Sequence, residues 1–341
     1  MVYTPGISFL GTTNTQISRL KQLNTTLTDL QRQLTTQKKF DNISGFGAQA
    51  YSVQKLRTDK AQLDTFLTNI STVETRIQVM SSSLQQASDA GRMMTDAVSN
   101  FYKYGATDIE TVSLVARQQL DLMRDVANLE IDGRYMFAGS ATDAEPFSNY
   151  GQLDLNMQNL VTDWQAGTIT TAQLITAVNS LSDTDVGFNP ALSSTGKVTT
   201  QIDKNLNLDY TSVATNNGMK ELMRMMALAA NLQPLDLSAS PPGPTQADMD
   251  QLVKHIVDSI NTATQKTDQG NGQLGVHLAT IESVQSQHLT DTSVYDKILI
   301  QKENADTTEV VAKIQSLQTQ ITSSYEITSL VSQLSLVNYL R

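Results

Sequence analysis

From Leu63 to Phe101 the apolar residues recur at spacings of three and four without a break: Leu63, Phe66, Ile70, Val73, Ile77, Met80, Leu84, Ala87, Gly91, Met94, Val98 and Phe101. That spacing keeps one narrow apolar stripe on one side of an α-helix, as in the seam of a coiled coil. At 1.5 Å per residue it predicts a rod of roughly 58 Å. A helix of this length is foreign to a small globule and needs partner helices to cover its stripe.

The chain ends carry the same pattern. Leu20, Leu23, Leu27, Leu30 and Leu34 form one seam among Thr, Gln, Asn and Lys. Phe40 to Gly47, with two glycines and an Asn, then predicts a hinge or loop. At the other end Val310, Ile314, Leu317 and Ile321 form a seam, followed by Ile327, Leu330, Leu334 and Val337. The second set is offset by six residues, which rotates the stripe around the helix. Isolated amphipathic helices are marginal in water, so the two ends are expected to pair. The apolar surface left over then needs neighbouring copies. The candidate assembly residues are Leu20, Leu23, Leu27, Leu30, Leu34, Ile314, Leu317, Ile321, Leu330, Leu334 and Val337.

Between the ends, a third helix is expected from near Asp108, with Val112, Val115, Leu122, Val126 and Leu129 on one face. It is expected to stop at Asp132–Gly133, with the glycine as C-cap. Residues 140–212 are rich in Gly, Asn, Asp, Ser and Thr, with a short helical piece at 171–181. Val198, Thr200 and Ile202, then Leu206, Leu208 and Tyr210, alternate like two strands joined by a three-residue turn, Asp203-Lys204-Asn205. Met219 to Leu232 is short and helical, and Pro234 to Pro244 is a loop. Met249, Leu252, Ile256, Ile260 and Ala263 mark another helix. A turn is expected at Gly270–Gly275, then a long helix to the C-terminus with a bend near Thr290–Thr292. The fold class is mainly α: long coiled-coil-like helices formed by paired N- and C-terminal regions, with an inserted β-rich (α+β) outer domain. The expected domains are 1–42 with 304–341, 43–139 with 213–303, and the insertion 140–212.

Composition removes several functions. With 24 Lys and Arg against 34 Asp and Glu, the net charge of −10 argues against nucleic acid and against a polybasic membrane anchor. The charged fraction of 17% is below the typical ~25%, leaving a polar surface that repels its own copies only weakly. No cysteine is present, so thiolate metal sites and Cys nucleophiles are excluded. The first ten residues lack the pattern of a cleaved secretory signal, and no apolar run is long enough to span a membrane.

Little catalytic chemistry stands out. His255, His277 and His288 lack the spacing of a helical zinc pair and are expected at the surface or in an interface. Gly270-Asn271-Gly272-Gln273-Leu274-Gly275 matches a dinucleotide fingerprint by letter, but no strand precedes it, so no cofactor is expected. Asp121 and Asp125 read as a solvated pair. Met219, Met223, Met225 and Met226 are expected to fill core rather than form an adaptable surface. Trp164 and Tyr150 are likewise expected as core of the insertion. The chain is not expected to be an enzyme.

The segment GRYMFAGSATDAEPF, Gly133 to Phe147, resembles a signature of the flagellar hook-associated protein 3 family, whose members join hook to filament. Gly133, Arg134, Tyr135, Phe137 and Gly139 carry it. The C-terminal run from Glu303 to Arg341 is similar to the last helix of flagellins and hook-associated proteins, down to Leu334-Ser-Leu-Val-Asn-Tyr-Leu340. Gln273-Leu274-Gly275 through Ile281-Glu282 resembles the approach to that helix, although Ala279-Thr280 stand where relatives carry Asn-Arg. The hinge at Asn42–Gly47 also departs from the family pattern, and the resemblance leaves out roughly 148–212. It implies a self-assembling structural subunit of the bacterial flagellum, extracellular, exported through the flagellar type III apparatus without a cleaved signal. Its implied partners are its own copies, other axial proteins and an export chaperone. The junction protein is the first reading. The alternatives are the main filament flagellin, or a flagellin-like protein whose insertion binds a glycan or host surface.

Overall fold

The computed structural model describes residues 9–104, 109–216, 218–235 and 243–339, with side chains described over 14–99, 109–216, 218–235 and 243–330. Helix makes up 75% of it and each of the two small sheets has two strands, so the chain is mainly α with a minor β part. The helices are α1 (Phe9–Thr36), α2 (Ala50–Tyr104), α3 (Ile109–Ala127), α4 (Tyr150–Gln165), α5 (Thr171–Ser180), α6 (Met219–Ala230), α7 (Gln246–Glu303) and α8 (Thr307–Tyr339). The strands are β1 (Glu130–Ile131), β2 (Arg134–Tyr135), β3 (Thr199–Asp203) and β4 (Leu206–Asp209). Two compact units result, Met1–Asp64 with Leu289–Arg341, and Thr65–His288.

In the second unit the seam of α2 is buried from Phe66 to Val98, as its spacing predicts; the side chain of Phe101 lies outside the described residues. At Gly91 the neighbouring helices approach closely. A Cβ there would run into Thr264 Oγ1 of α7 and press on Leu222 of α6. Around it, polar residues bind α2 to α7: Ser88 Oγ donates to Asp268 Oδ1 at 2.6 Å, and Ser81 Oγ donates to Asn271 Oδ1 at 2.5 Å. Helix α6 keeps Lys220, Glu221 and Arg224 on one partly exposed side and buries its other residues. Met219, Met223, Met225 and Met226 have no exposed surface, which makes them core.

Residues 140–212 share this single apolar core rather than forming one of their own. Helix α4, absent from the sequence reading, buries Leu153, Met157, Val161 and Trp164 on one face. Trp164 donates from Nε1 to Thr171 Oγ1 at 3.0 Å, so its polar edge is satisfied inside the core. Helix α5 opens with a capping box between Thr170 and Gln173. The β3–β4 hairpin is present, but with two turn residues, Lys204 and Asn205, because Asp203 pairs with Leu206. A bulge between Gln201 and Asp203 leaves Ile202 as the extra residue, its side chain fully buried.

Several boundaries differ from expectation. Helix α3 ends at Ala127, not at Asp132–Gly133. Asp132 and Gly133 both have positive φ (52° and 72°) and form the two-residue turn between β1 and β2, the role that Asp-Gly plays in a type I′ hairpin. The buried face of α3 runs through Val112, Ala116, Leu120, Met123 and Ala127, with Leu122 turned outward. The expected restart at Asp108 lies outside the described residues, as does 236–242 of the Pro234–Pro244 loop.

No turn interrupts Gly270–Gly275; α7 is helical throughout. Three glycines weaken a helix by about 1 kcal/mol each. Burial of Leu274 and Ile281, with the Asn271 bond to α2, outweighs that cost. The break expected near Thr290–Thr292 falls instead at Asn304–Asp306. There Asp306 Oδ1 accepts from Thr308 N at 2.9 Å and Glu309 N at 3.2 Å, capping α8.

Candidate assembly interface

In the first unit α1 packs along α8. Their orientation is set where α1 stops and α8 begins. Gln37 takes a left-handed conformation (φ 57°), a conformation common just past a helix end. Lys38 and Asn304 then pair as an antiparallel bridge. Lys39 N donates to Glu303 O at 2.8 Å, and Ala305 N donates to Gln37 O at 3.0 Å. Since α1 leads into this bridge and α8 leads out of it, the two helices run antiparallel.

Charged groups lock the junction. Arg32 donates to Asp29 at 2.8 Å, to Asp41 at 2.6 Å and to Lys39 O at 3.0 Å. The guanidinium holds the Asp29 carboxyl below its usual range. Arg57 Nε donates to Glu303 Oε1 at 2.7 Å, and the Glu303 side chain is only 13% exposed. Phe46 packs edge-on against Phe40 at 5.1 Å in the break between α1 and α2. Gly45 makes this possible, because a Cβ there would meet the Phe40 side chain at 2.7 Å.

Beyond this junction the apolar stripes are covered unevenly. Leu30 and Val310, close to the bridge, are buried. Leu20, Leu23 and Leu27 on α1, and Ile314, Leu317 and Ile321 on α8, are only half-buried, and Leu34 is exposed. Further along, Tyr325, Ile327 and Leu330 are each more than half exposed, as is Ile17 on α1. The side chains of Leu334 and Val337 lie outside the described residues. Ile17 and Tyr325 were missed in the sequence reading. Ile17 precedes Leu20 by three residues, so the spacing rule already contained it. Tyr325 follows Ile321 by four residues, a spacing the same rule allows.

The residues that resemble a family signature occupy the second unit. Gly133 makes the hairpin turn, and Tyr135 N donates to Thr142 O at 2.7 Å. Phe137 is fully buried and its carbonyl accepts from Ala214 N at 2.9 Å. Gly139, at φ 59°, lies so near Thr195 that a Cβ would come within 2.7 Å of Oγ1. The segment therefore stitches the end of α3 to the hairpin exit at Val213–Ala214. Arg134 is half-buried.

The histidines divide. His255 and His277 are half-buried, whereas His288 is buried, against the expectation of a surface or interface position. Its ring stacks on Phe66 at 5.6 Å and Nε2 lies 2.8 Å from Ile202 O. The other nitrogen, Nδ1, is buried without a hydrogen-bond partner, a cost of about 1–3 kcal/mol that the surrounding burial offsets. Desolvation pushes the His255 imidazole below its ordinary value. Among the described residues no three His, Asp or Glu side chains gather in a group able to hold a metal ion. None of the described helices is long and apolar enough to cross a membrane.

No family model and no curated protein matches the chain. Solved structures do. One of them is a provisionally assigned flagellar hook-associated protein from Vibrio parahaemolyticus, with a TM-score of 0.53 and 12% identity over 74% of this chain and 96% of that one. At that identity the likeness is one of fold alone.

Proposed function

We propose that the chain is a non-enzymatic structural subunit of the bacterial flagellum that self-assembles through α1 and α8, and that its place is the junction between hook and filament. One observation carries this reading. Pairing α1 with α8 leaves Ile17, Tyr325, Ile327 and Leu330 more than half exposed on helices where Leu20, Leu23, Leu27, Ile314, Leu317 and Ile321 are only half-buried. Extended apolar stripes of this kind mark interaction sites on soluble proteins. The fold likeness to a provisionally assigned hook-associated protein and the Gly133–Phe147 resemblance support the flagellar setting. The Phe137-Ala138-Gly139 form of that segment favours the junction protein over the main flagellin.

Leu330→Asp tests the proposal cleanly. Leu330 is 58% exposed in the single chain, so the substitution changes monomer stability by roughly 0.5 kcal/mol or less. In an assembly it places an unpaired charge in a buried seam, which costs several kcal/mol. Leu27→Asp acts on the facing helix. The expected result is an unchanged unfolding transition for Leu330→Asp together with loss of incorporation at the hook tip. Normal filaments from both variants would overturn the proposal. Copy number decides the position: about a dozen per filament marks a junction ring, thousands the propeller.

A further inference from the structure

Among the described residues only Asp132 and Gln37 combine a side chain with positive φ. Asp132 and Gly133 make the whole turn between β1 and β2, and both are exposed. The Asp132 carboxylate has no hydrogen bond or ion pair among the described residues, and the Gly133 N–H donates to no backbone carbonyl. Asp132 Cγ and Gly133 N can close a five-membered ring once the backbone between them rotates. Little opposes that rotation. Each strand is two residues long, and so short a hairpin holds its turn weakly. Around Gly133 the space is open, with nothing within 4 Å of where a Cβ would stand.

Asn271-Gly272 is the more reactive pair in a free chain, because a neutral amide is a better electrophile than a carboxylate. In the fold it is held. It lies inside α7, where the helix fixes the backbone dihedrals and commits the amide N–H groups to the ladder. Its carboxamide also accepts from Ser81 Oγ.

We infer that Asp132–Gly133 is a site of spontaneous isoaspartate formation in the folded chain. The Gly133 nitrogen attacks Cγ of the protonated Asp132 carboxyl. A Cγ–O bond breaks, and the hydroxyl leaves with the Gly133 N–H proton as water. The succinimide then takes up water. Opening at Cγ restores Asp132, whereas opening at the Asp132 backbone carbonyl routes the chain through Cβ and Cγ as isoaspartate. No oxidant or metal enters. The new link adds a methylene to a two-residue turn, so the register of Glu130 with Tyr135 and Ile131 with Arg134 is lost.

The full chain is aged for weeks in neutral buffer, folded and in urea, then cut with trypsin and labelled with isoaspartyl methyltransferase. Cleavage at Arg134, Lys204, Lys220 and Lys266 puts Asp132-Gly133, Asn217-Gly218 and Asn271-Gly272 in separate peptides. In the folded chain the Asp132 peptide is expected to carry several times the label of the Asn271 peptide, and urea is expected to reverse the order. Asp132→Asn suits the same turn and is expected to convert well ahead of Asn271 in the same folded molecule. Absence of isoaspartate from the Asp132 peptide of the aged parent would overturn the proposal, a reading that stands without the variant. So would Asn271 converting as fast as the substituted position in folded Asp132→Asn.

Discussion

Asn128 binds both backbone groups of Phe147 with the two ends of its side-chain amide. Its Oδ1 accepts from Phe147 N at 2.8 Å, and its Nδ2 donates to Phe147 O at 2.9 Å. The side chain thus imitates a strand and fixes how the chain leaves α3 and approaches α4. Phe147 is thereby held edge-on against Phe188 at 5.4 Å, inside the core.

Asn128→Ala therefore strands a partly buried N–H and C=O, and is expected to cost about 1–3 kcal/mol. Asn128→Asp is expected to be at least as harmful. It removes the donor and sets a carboxylate against Phe147 O and Glu145, which now accepts from the same amide. Urea midpoints of the two variants and the parent check both statements. A midpoint for Asn128→Asp above that of Asn128→Ala would show that the donor half of the pairing carries no weight.

The glycines of the long helices are predicted to respond with opposite signs. At Gly91 an added methyl meets Thr264 and Leu222, so Gly91→Ala is expected to destabilise by about 1–3 kcal/mol. At Gly272 and Gly275 it meets nothing within 4 Å, and both residues are helical. Alanine at either is expected to stabilise by about 0.5–1 kcal/mol. Thermal unfolding gives the signs, and amide exchange over residues 268–280 locates the gain. Loss of stability in Gly272→Ala would point to a contact that the lone chain does not make.

This contrast also shows where the sequence was legible. The three-four spacing of α2 names its buried face correctly from Phe66 to Val98, because a repeated seam reports burial whatever the partner is. The same rule located the terminal helices. It failed at Gly270–Gly275, where local propensity argued for a turn and tertiary burial of Leu274 prevailed. It failed again at α4, whose four buried residues are interleaved with Gly, Asn and Asp that read as loop. Asp132–Gly133 was misread because the same dipeptide suits a helix end and a hairpin, and only the pairing of Glu130 with Tyr135 decides between them.

Acid is predicted to loosen the β3–β4 hairpin. Asp209 accepts from Lys197 Nζ at 2.8 Å, from Thr211 Oγ1 at 2.6 Å and from Thr211 N at 3.1 Å. The Lys197 and Thr211 bonds lower its pKa to about 2. The folded value lies below the unfolded one, so the contribution is complete above pH ~4 and is lost as pH falls towards 2. The side chain is 36% exposed, and screening by solvent reduces the effect to about 1 kcal/mol. Asp209→Asn is expected to remove that much at neutral pH and to flatten the pH dependence between 4 and 2. Stability measured across that window in both proteins is the check; parallel curves would rule out Asp209 as the titrating group.

The ion pair at the junction of α7 and α8 gives the last prediction. Glu303 is largely buried, its carboxylate takes Arg57 Nε at 2.7 Å, and its backbone oxygen takes Lys39 N at 2.8 Å. Removing only the cation leaves a partly desolvated charge beside the bridge that orients α1 against α8. Arg57→Ala is therefore expected to cost about 1–3 kcal/mol, because one charged partner is left behind. The double variant Arg57→Ala/Glu303→Gln keeps a neutral amide in place of that charge. It is expected to be more stable than Arg57→Ala alone, a coupling that a double-mutant cycle isolates. Amide exchange supplies the location: protection at Lys39 and Ala305 falls in Arg57→Ala and recovers in the double variant, while that of α6 stays constant. Additive losses in the two single variants would mean that Arg57 contributes through its packing against the helix and not through Glu303.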